Sequence, residues 1–543
     1  MRCINGKGSA VYGTAFTTEL TEAHREEPRS QAVWLFSVSL CALCGESFRR
    51  AARRVLTPGT QIPAALVTVL LLWLVIPSIA KDYPPEAPPP KALTIPSPTI
   101  QKLPNGLKVV VVERHTLPLI TLRLVVEAGA ERDPAGLEGT AALVNSLLTE
   151  GTERRTSHQI AEAIDSAGGL VDSGAEWDSS FLSLSVLSDQ SELAFDLVSD
   201  MAVHPAFQRV EIERQRTQTL SGLKVAHDDP VYVADTVFQE IVFSGTPYSH
   251  PEDGTNESVP RIRLENLRAF HARYYQPSNC ILAIVGDISA ADAFALATQF
   301  LSAWKNTAPA PELPPSVPAA QVRRVMAIDK PDAVQTEIRI GNLGVPRNSP
   351  DYVALTVANE ILGGPSENRL FKALRSREGL TYGASSELVC HRHLGAWVGK
   401  TFTRTPETLK STHLAIEQMK SLRDHNISPG ELETAQSYLI GHMALDFETS
   451  DAVASRVLDT LQNGLPADYW SHYPSQLQAL TIDEVRRATE RYLDPDHGVI
   501  VLVGSVEDFK KDLKKLGPAQ VIGLNALELS AIGGEQPTAE EGK

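Results

Sequence analysis

Residues 264–288 read LENLRAFHARYYQPSNCILAIVGDI, and residues 482–506 read IDEVRRATERYLDPDHGVIVLVGSV. At a constant offset of 218, Arg273-Tyr274 aligns with Arg491-Tyr492, Pro277 with Pro495, and Val285-Gly286 with Val503-Gly504. Each copy predicts a polar-faced helix, a turn containing proline, then an apolar strand (Ile281–Val285, Val499–Val503) closed by glycine. The period is too long for a solenoid and indicates two similar domains of about 200 residues each.

Working outward, Lys108–Val112 and Ile120–Val126 are β-branched runs around a polar turn and predict an antiparallel pair. Leu143, Val144, Leu147 and Leu148 recur at helical spacing, as do Ile160, Ala163 and Ile164. Ser180–Leu187 alternates as a strand does, and Glu211 to Ile241 reads as one long helix. Hairpins with helices grouped between them predict an α+β class with mainly antiparallel sheets, not a doubly wound parallel sheet.

The expected organisation is a leader at 1–80, a Pro-rich linker at 81–98, and a first domain at 99–306. A second Pro-rich linker follows at 307–317, then a second domain at 318–512 and a tail at 513–543. In the leader, Arg49, Arg50, Arg53 and Arg54 precede the apolar run Ile62 to Ile79, and Ser78 and Ala80 offer a cut before Lys81. That order reads as a secretory signal, with an uncleaved N-terminal anchor as the alternative. About 50 residues before the basic cluster are long for a signal. No Met lies between Met1 and Met201, so a nearer start would use a non-Met codon, with Val55 as the candidate.

Apolar content of 43% and charge of 21% exclude global disorder. The net charge of −16 argues against a nucleic-acid partner, because no basic surplus exists to neutralise phosphates. Residues 1–80 carry eight Lys/Arg against five acids, so the exported part alone stands at −19. Cys3, Cys41 and Cys44 lie in the leader; Cys280 and Cys390 make no disulfide framework, and their pairing is left open.

Beyond these patterns, LPNGLKVVVVERHTLPLITLRLVVEAGAERDPAGLEGTAALVNSLLTEGT, followed by DDPVYVADTVF, TPYSHPEDGT and LRAFHARYY, resembles the pitrilysin/insulinase family of metallopeptidases, the inverzincins that include the mitochondrial processing peptidase. The resemblance covers roughly residues 99–510 and implies two clamshell halves. Active members carry H-x-x-E-H on a helix, where two His one turn apart hold zinc and the Glu activates a water. Here the first ligand position is Ala142, the base position Asn145, and the second ligand position Ser146. The family's third ligand, a Glu in the long helix before Asp228-Asp229-Pro230, falls on Gly222, and Thr219, Leu220 and Ser221 are not acidic either. The resemblance therefore implies a member with no catalytic residue and no metal of its own. Cys390, His391 and His393 are the best alternative cluster, but strand geometry would put the two histidines on one face and Cys390 on the other, and exposed strand histidines are the simpler expectation. His115, His250 and His271 are isolated, and Glu150 belongs to the helix end.

The stretch ILGGPSENRLFKALRSREGLTYG at 361–383 is similar to the family's L-G-G…S-R-L-F…L-R…G-L-x-Y-G, with Asn368 where Ser is usual. The Arg and Tyr of that motif hold the substrate backbone and the developing oxyanion, and they map onto Arg375 and Tyr382, with Arg377 as the local competitor. Gly363-Gly364 reads as a mobile loop or a helix C-cap. Some family members are heterodimers in which one subunit carries zinc and the other supplies the Arg/Tyr pair. The resemblance thus implies a non-catalytic, substrate-binding subunit in the Gram-negative periplasm, with zinc and H-x-x-E-H in a partner paralogue and peptides as substrates. A scaffold or peptide-binding protein without a proteolytic partner is the alternative, and an active peptidase with an unrecognised metal set is the third.

Overall fold

The computed structural model describes residues 97–307, 322–365, 368–424 and 427–529. The signal, the anchor alternative and most of both Pro-rich linkers lie outside these residues. The first half holds β1 (Thr99–Lys102), β2 (Lys108–Glu113), β3 (Leu119–Val126), α1 (Thr140–Ser146), α2 (Ser157–Ser166), β4 (Leu170–Ala175), β5 (Ser180–Leu187), α3 (Ser191–Val203), α4 (Arg209–Asp228), α5 (Pro230–Val242), α6 (Leu264–Tyr274), β6 (Cys280–Gly286) and α7 (Ala290–Leu301). The second half holds β7 (Arg324–Asp329), β8 (Gln335–Leu343), α8 (Tyr352–Gly363), α9 (Arg369–Phe371), β9 (Ala384–Cys390), β10 (Gly395–Arg404), α10 (Thr408–Asp424), α11 (Pro429–Asp446), α12 (Ser450–Gln462), α13 (Tyr469–Ala479), α14 (Ile482–Tyr492), β11 (Val499–Gly504) and β12 (Ala519–Gly523).

The two sheets run β1-β2-β6-β3-β5-β4 and β12-β7-β11-β8-β10-β9, and they match at five positions, β2/β7, β6/β11, β3/β8, β5/β10 and β4/β9, while the edge strands β1 and β12 differ in direction. The repeat read from the sequence is α6–β6 against α14–β11. Beyond it, both sheets share a parallel pair at matching places, β2 with β6 and β7 with β11, and a run of antiparallel pairs on one side of it; the second sheet adds a further parallel pair, β12 with β7. The mainly antiparallel α+β class stands.

Three expectations change. β2 and β3 are not neighbours, because β6 lies between them, parallel to β2 and antiparallel to β3. All seven residues of β6 are buried, and a strand apolar on both faces takes an interior place in the sheet. The long helix from Glu211 breaks into α4 and α5 at Asp229, whose carboxylate accepts from the Val231 N–H, with Pro230 in the first turn. The expected tail from residue 513 carries β12, which extends the second sheet alongside β7.

Each half lends a helix to the other. α5, from the first half, lays Val233, Val237, Phe238 and Ile241 on Met326, Ile328, Val499 and Val501 of the second sheet. α12, from the second half, lays Val453, Ala454, Val457 and Leu458 over Val110, Val125, Ile281 and Ala283 of the first. The opposite face of the first sheet is covered by its own helices. Cys280 lies in the first sheet and Cys390 at the end of β9 in the second, and no disulfide joins them.

Candidate functional site

The helix where a zinc motif would stand is α1, only seven residues long. Asp133 starts it: its two carboxylate oxygens accept from the Gly139 N–H at 2.6 Å and the Ala141 N–H at 2.8 Å, satisfying donors the helix leaves open. Burial pushes the Asp133 carboxyl well above the usual range. Gly139 takes φ +92°, and a side chain there would meet the Asp253 carbonyl at 2.7 Å, so glycine is required.

Ala142 is half-buried against the first-half core and offers no donor atom. Asn145 is fully buried. Its amide N–H donates to the Phe181 carbonyl at 3.0 Å and approaches the Tyr275 hydroxyl at 3.4 Å. The Asn145 Oδ1 is buried with no hydrogen-bond partner. The Ser146 hydroxyl donates to the Leu143 carbonyl at 3.0 Å, a bond within its own helix. Gly222 is exposed on α4, and a Cβ there would meet open space. α4 packs along α1, so the fold brings the motif positions onto neighbouring helices. What stands at them is a methyl group, an amide held in the core, a hydroxyl turned onto its own backbone, and a glycine. These residues do not fit a zinc ion, and no hydrolytic step can be routed through them. Glu150 is tied to α4 by Gln215 at 2.8 Å and by an ion pair with Arg214. Among the described residues, no group of three or more His, Cys, Asp or Glu is placed to hold a metal.

The alternative histidine cluster divides: neither histidine lies in a strand, and His393 is exposed as expected while His391 is not. β9 ends at Cys390, and His391 sits in the β9–β10 turn, 9% exposed, with its ring 4.7 Å from Tyr248 and nearly parallel to it. A sequence shows a histidine in a short polar run; it does not show that aromatic residues from the other half close over it. His115 is exposed and paired with Asp287 at 2.7 Å, His250 contacts the Pro251 carbonyl at 3.0 Å, and His271 contacts the Ala202 carbonyl at 2.8 Å.

The second-half motif is assembled around Arg375. α8 ends at Gly363, where a Cβ would lie 2.0 Å from the Ser386 nitrogen, and Gly364 caps it by donating its N–H to the Glu360 carbonyl. Among the described residues, then, this glycine pair acts as a close-approach point and a cap. Asn368 is buried and joins two backbones: its Oδ1 accepts from the Phe371 N–H at 2.7 Å, and its amide donates to the Gly364 carbonyl. Residues Lys372–Arg377 then form a π-helical turn, a conformation frequent at functional sites. The Arg375 guanidinium lies 5.1 Å from the Phe371 ring and 4.9 Å from the Tyr382 ring, and it donates to the Tyr382 carbonyl. Arg375, not Arg377, is the arginine on Tyr382. The Tyr382 side chain is left 79% exposed, an unusual place for a large aromatic residue. The sequence reading missed Phe371, although its four-residue spacing from Arg375 was the available signal.

The model of the insulinase family, peptidase family M16, matches residues 108–255, and that of the peptidase M16 inactive domain matches residues 261–439. A solved M16 inactive domain from Pseudomonas fluorescens is 30% identical with a TM-score of 0.71, over 75% of this chain and 98% of that one. An uncharacterized zinc protease of Mycobacterium leprae is 26% identical over 74% of this chain and 90% of its own length. A protein of Helicobacter pylori named non-peptidase homolog YmxG is 23% identical over 70% of this chain and 88% of its own. With a motif helix that offers no ligand and relatives on both sides of the loss of activity, the chain belongs to the M16 insulinase family as an inactive, non-peptidase member.

Proposed function

We propose that this chain is the substrate-holding subunit of an exported zinc metallopeptidase, presenting Arg375 and Tyr382 to peptides that are cut in a partner paralogue carrying H-x-x-E-H. The observation that carries this reading is the Arg375–Tyr382 pair. Two donors stand on a supported turn, with the phenol in solvent, while the motif helix of the same chain has lost every ligand. A guanidinium and a phenol suit a peptide carbonyl and the negative charge it gains during hydrolysis. The acidic balance suits an export compartment where solubility is needed, and the leader pattern supports the periplasm. Zinc then belongs to the partner.

The test is co-purification of the tagged chain from its host envelope, followed by peptidase assay of the assembled complex. Arg375→Ala and Tyr382→Phe are expected each to lower kcat/KM by roughly 10–1000-fold without dissociating the complex. Unchanged activity in both variants removes the proposed role of the pair and leaves the scaffold alternative.

A further inference from the structure

The turn between β9 and β10 reaches from the second half into the first. His391 stacks on Tyr248 at 4.7 Å and 9°, and meets Phe243 at 5.4 Å and Trp177 at 5.7 Å edge-on. Beside it the Arg392 N–H donates to Asp178 at 2.8 Å, and its guanidinium reaches Glu127 at 3.2 Å. The Tyr248 hydroxyl donates to the other Asp178 oxygen at 2.6 Å, so one carboxylate organises both sides of the seat. The turn itself is closed by the His391 N–H donating to the Leu394 carbonyl at 2.8 Å.

One atom in this seat is left over. His391 Nε2 is buried without a hydrogen-bond partner, and its Nδ1 is 3.9 Å from Asp178. A neutral imidazole fits such a place; an imidazolium there would bury an N–H and a charge with nothing to accept from that side. We propose that the His391–Leu394 turn is a latch between the two halves, seated at neutral pH and released by acid.

Burial holds the His391 imidazole below its ordinary range against the opposing pull of Asp178 and Glu387, and burial lowers His393 as well. An exposed turn titrates near ~6.5, so seating expels protons; the seated state is fully favoured above that value and loses ground as pH falls below it. The other groups facing the seat are Glu127, Glu131, Arg132, Tyr248 and His250 from the first half and Arg392 from the turn. Glu131, pushed up to about 8 by burial, works in the opposite direction, but it accepts from the Gly129 N–H and from Arg132 Nε, both in its own half, and keeps those bonds when the turn lifts. Exchange of α5 and α12 between the halves keeps the molecule together, so release is local. β9 starts two residues after Tyr382 and runs into the latch at its other end, still paired to β10 along its length.

Hydrogen exchange of the full mature chain, without peptide or partner, tests the latch separately from the peptide-holding role. Between about pH 7.5 and about pH 5, after correction for intrinsic rates, protection across residues 384–396 is expected to fall about tenfold more than in β2 and β6. His391→Phe, which keeps the stack but cannot titrate, is expected to hold protection within about twofold across that range, and Glu131→Gln to behave as wild type. Tyr248→Ala is expected to leave the segment open at both values. His391→Gln replaces the Phe variant if that chain fails to fold. A wild-type segment indifferent to pH, an equal loss in β2 and β6, or an acid response that survives removal of the imidazole each overturns the latch.

Discussion

Arg339 on β8 donates its Nε–H to Asp235 on α5 at 2.6 Å, and Arg123 on β3 reaches Asp451 on α12 at 3.2 Å. From 123 to 339 and from 235 to 451 the step is 216 residues in both cases, so the two ion pairs are counterparts in the two halves. Each joins a strand to the helix lent by the opposite half. They are unequal, because the Arg339 side chain is 3% exposed against 13% for Arg123, and that of Asp235 41% against 53% for Asp451. Arg339 keeps Glu337 at 2.9 Å when Asp235 is lost, which limits the damage. Asp235→Ala is expected to cost about 1–3 kcal/mol, and Asp451→Ala under about 1 kcal/mol. Thermal unfolding of the two variants side by side checks the order; equal losses would mean that depth does not separate the pairs.

Neither half should be stable alone. A fragment of residues 97–307 exposes Val233, Val237, Phe238 and Ile241 of α5, and one of residues 322–529 exposes Val453, Val457 and Leu458 of α12. Apolar faces of that kind drive aggregation when uncovered. Each fragment is expected to be insoluble or loosely packed when expressed singly, and the two to yield a soluble complex when co-expressed. A folded, monomeric 97–307 fragment would show that the exchange of helices is dispensable.

The former motif helix now serves packing. Asn145→Ala leaves the Phe181 carbonyl without its donor and is expected to cost about 1–3 kcal/mol. Asn145→Glu places a carboxylate in the same buried position and is expected to cost more, although it restores the family's base residue. Elemental analysis of the purified chain 81–543 is expected to find near-zero zinc in the wild type and in Asn145→Glu, since Ala142, Ser146 and Gly222 still provide no ligand. One tightly held zinc per chain would contradict this reading of the helix.

Acid sensitivity should have a defined source on α6. His271 is pushed down to about 4, chiefly by burial, while its ring stacks on Tyr275 at 4.6 Å. A lowered histidine contributes stability that is complete above the unfolded value near ~6.5 and is lost as pH falls through its folded value. The wild type is therefore expected to lose thermal stability steadily from about pH 6.5 to about pH 4, and His271→Phe to show a flatter profile over that window. Parallel profiles would place the acid response on other groups.

Much of this molecule could be read in advance where one residue type carries the physics. The α6–β6 and α14–β11 units were visible as a repeat because an apolar strand after a polar-faced helix and a proline turn leaves a local pattern. The loss of ligands at Ala142, Asn145, Ser146 and Gly222 followed from the family resemblance, which gave the positions, and from side-chain chemistry, which shows that none of them can ligate zinc. Less was legible where the partner in space matters. β2 and β3 look like a hairpin, and β6, more than 150 residues later, separates them. Motif spacing put Arg375 ahead of Arg377, but the π-helical turn that lays Arg375 over Tyr382 was not legible in the sequence.

The sequence by itself determined that there are two related α+β halves and that the helix at 140–146 carries no zinc-ligating side chain. Periodicity gave the first and the family resemblance gave the ligand positions of the second; both are read along the chain without knowledge of its packing. Tertiary structure alone decided that α5 and α12 cross to the opposite sheets, that β12 completes the second sheet, and that His391 is buried under Trp177, Phe243 and Tyr248. An apolar stripe states that a face must be buried but carries no address for what buries it; that address comes from the packing of the whole chain.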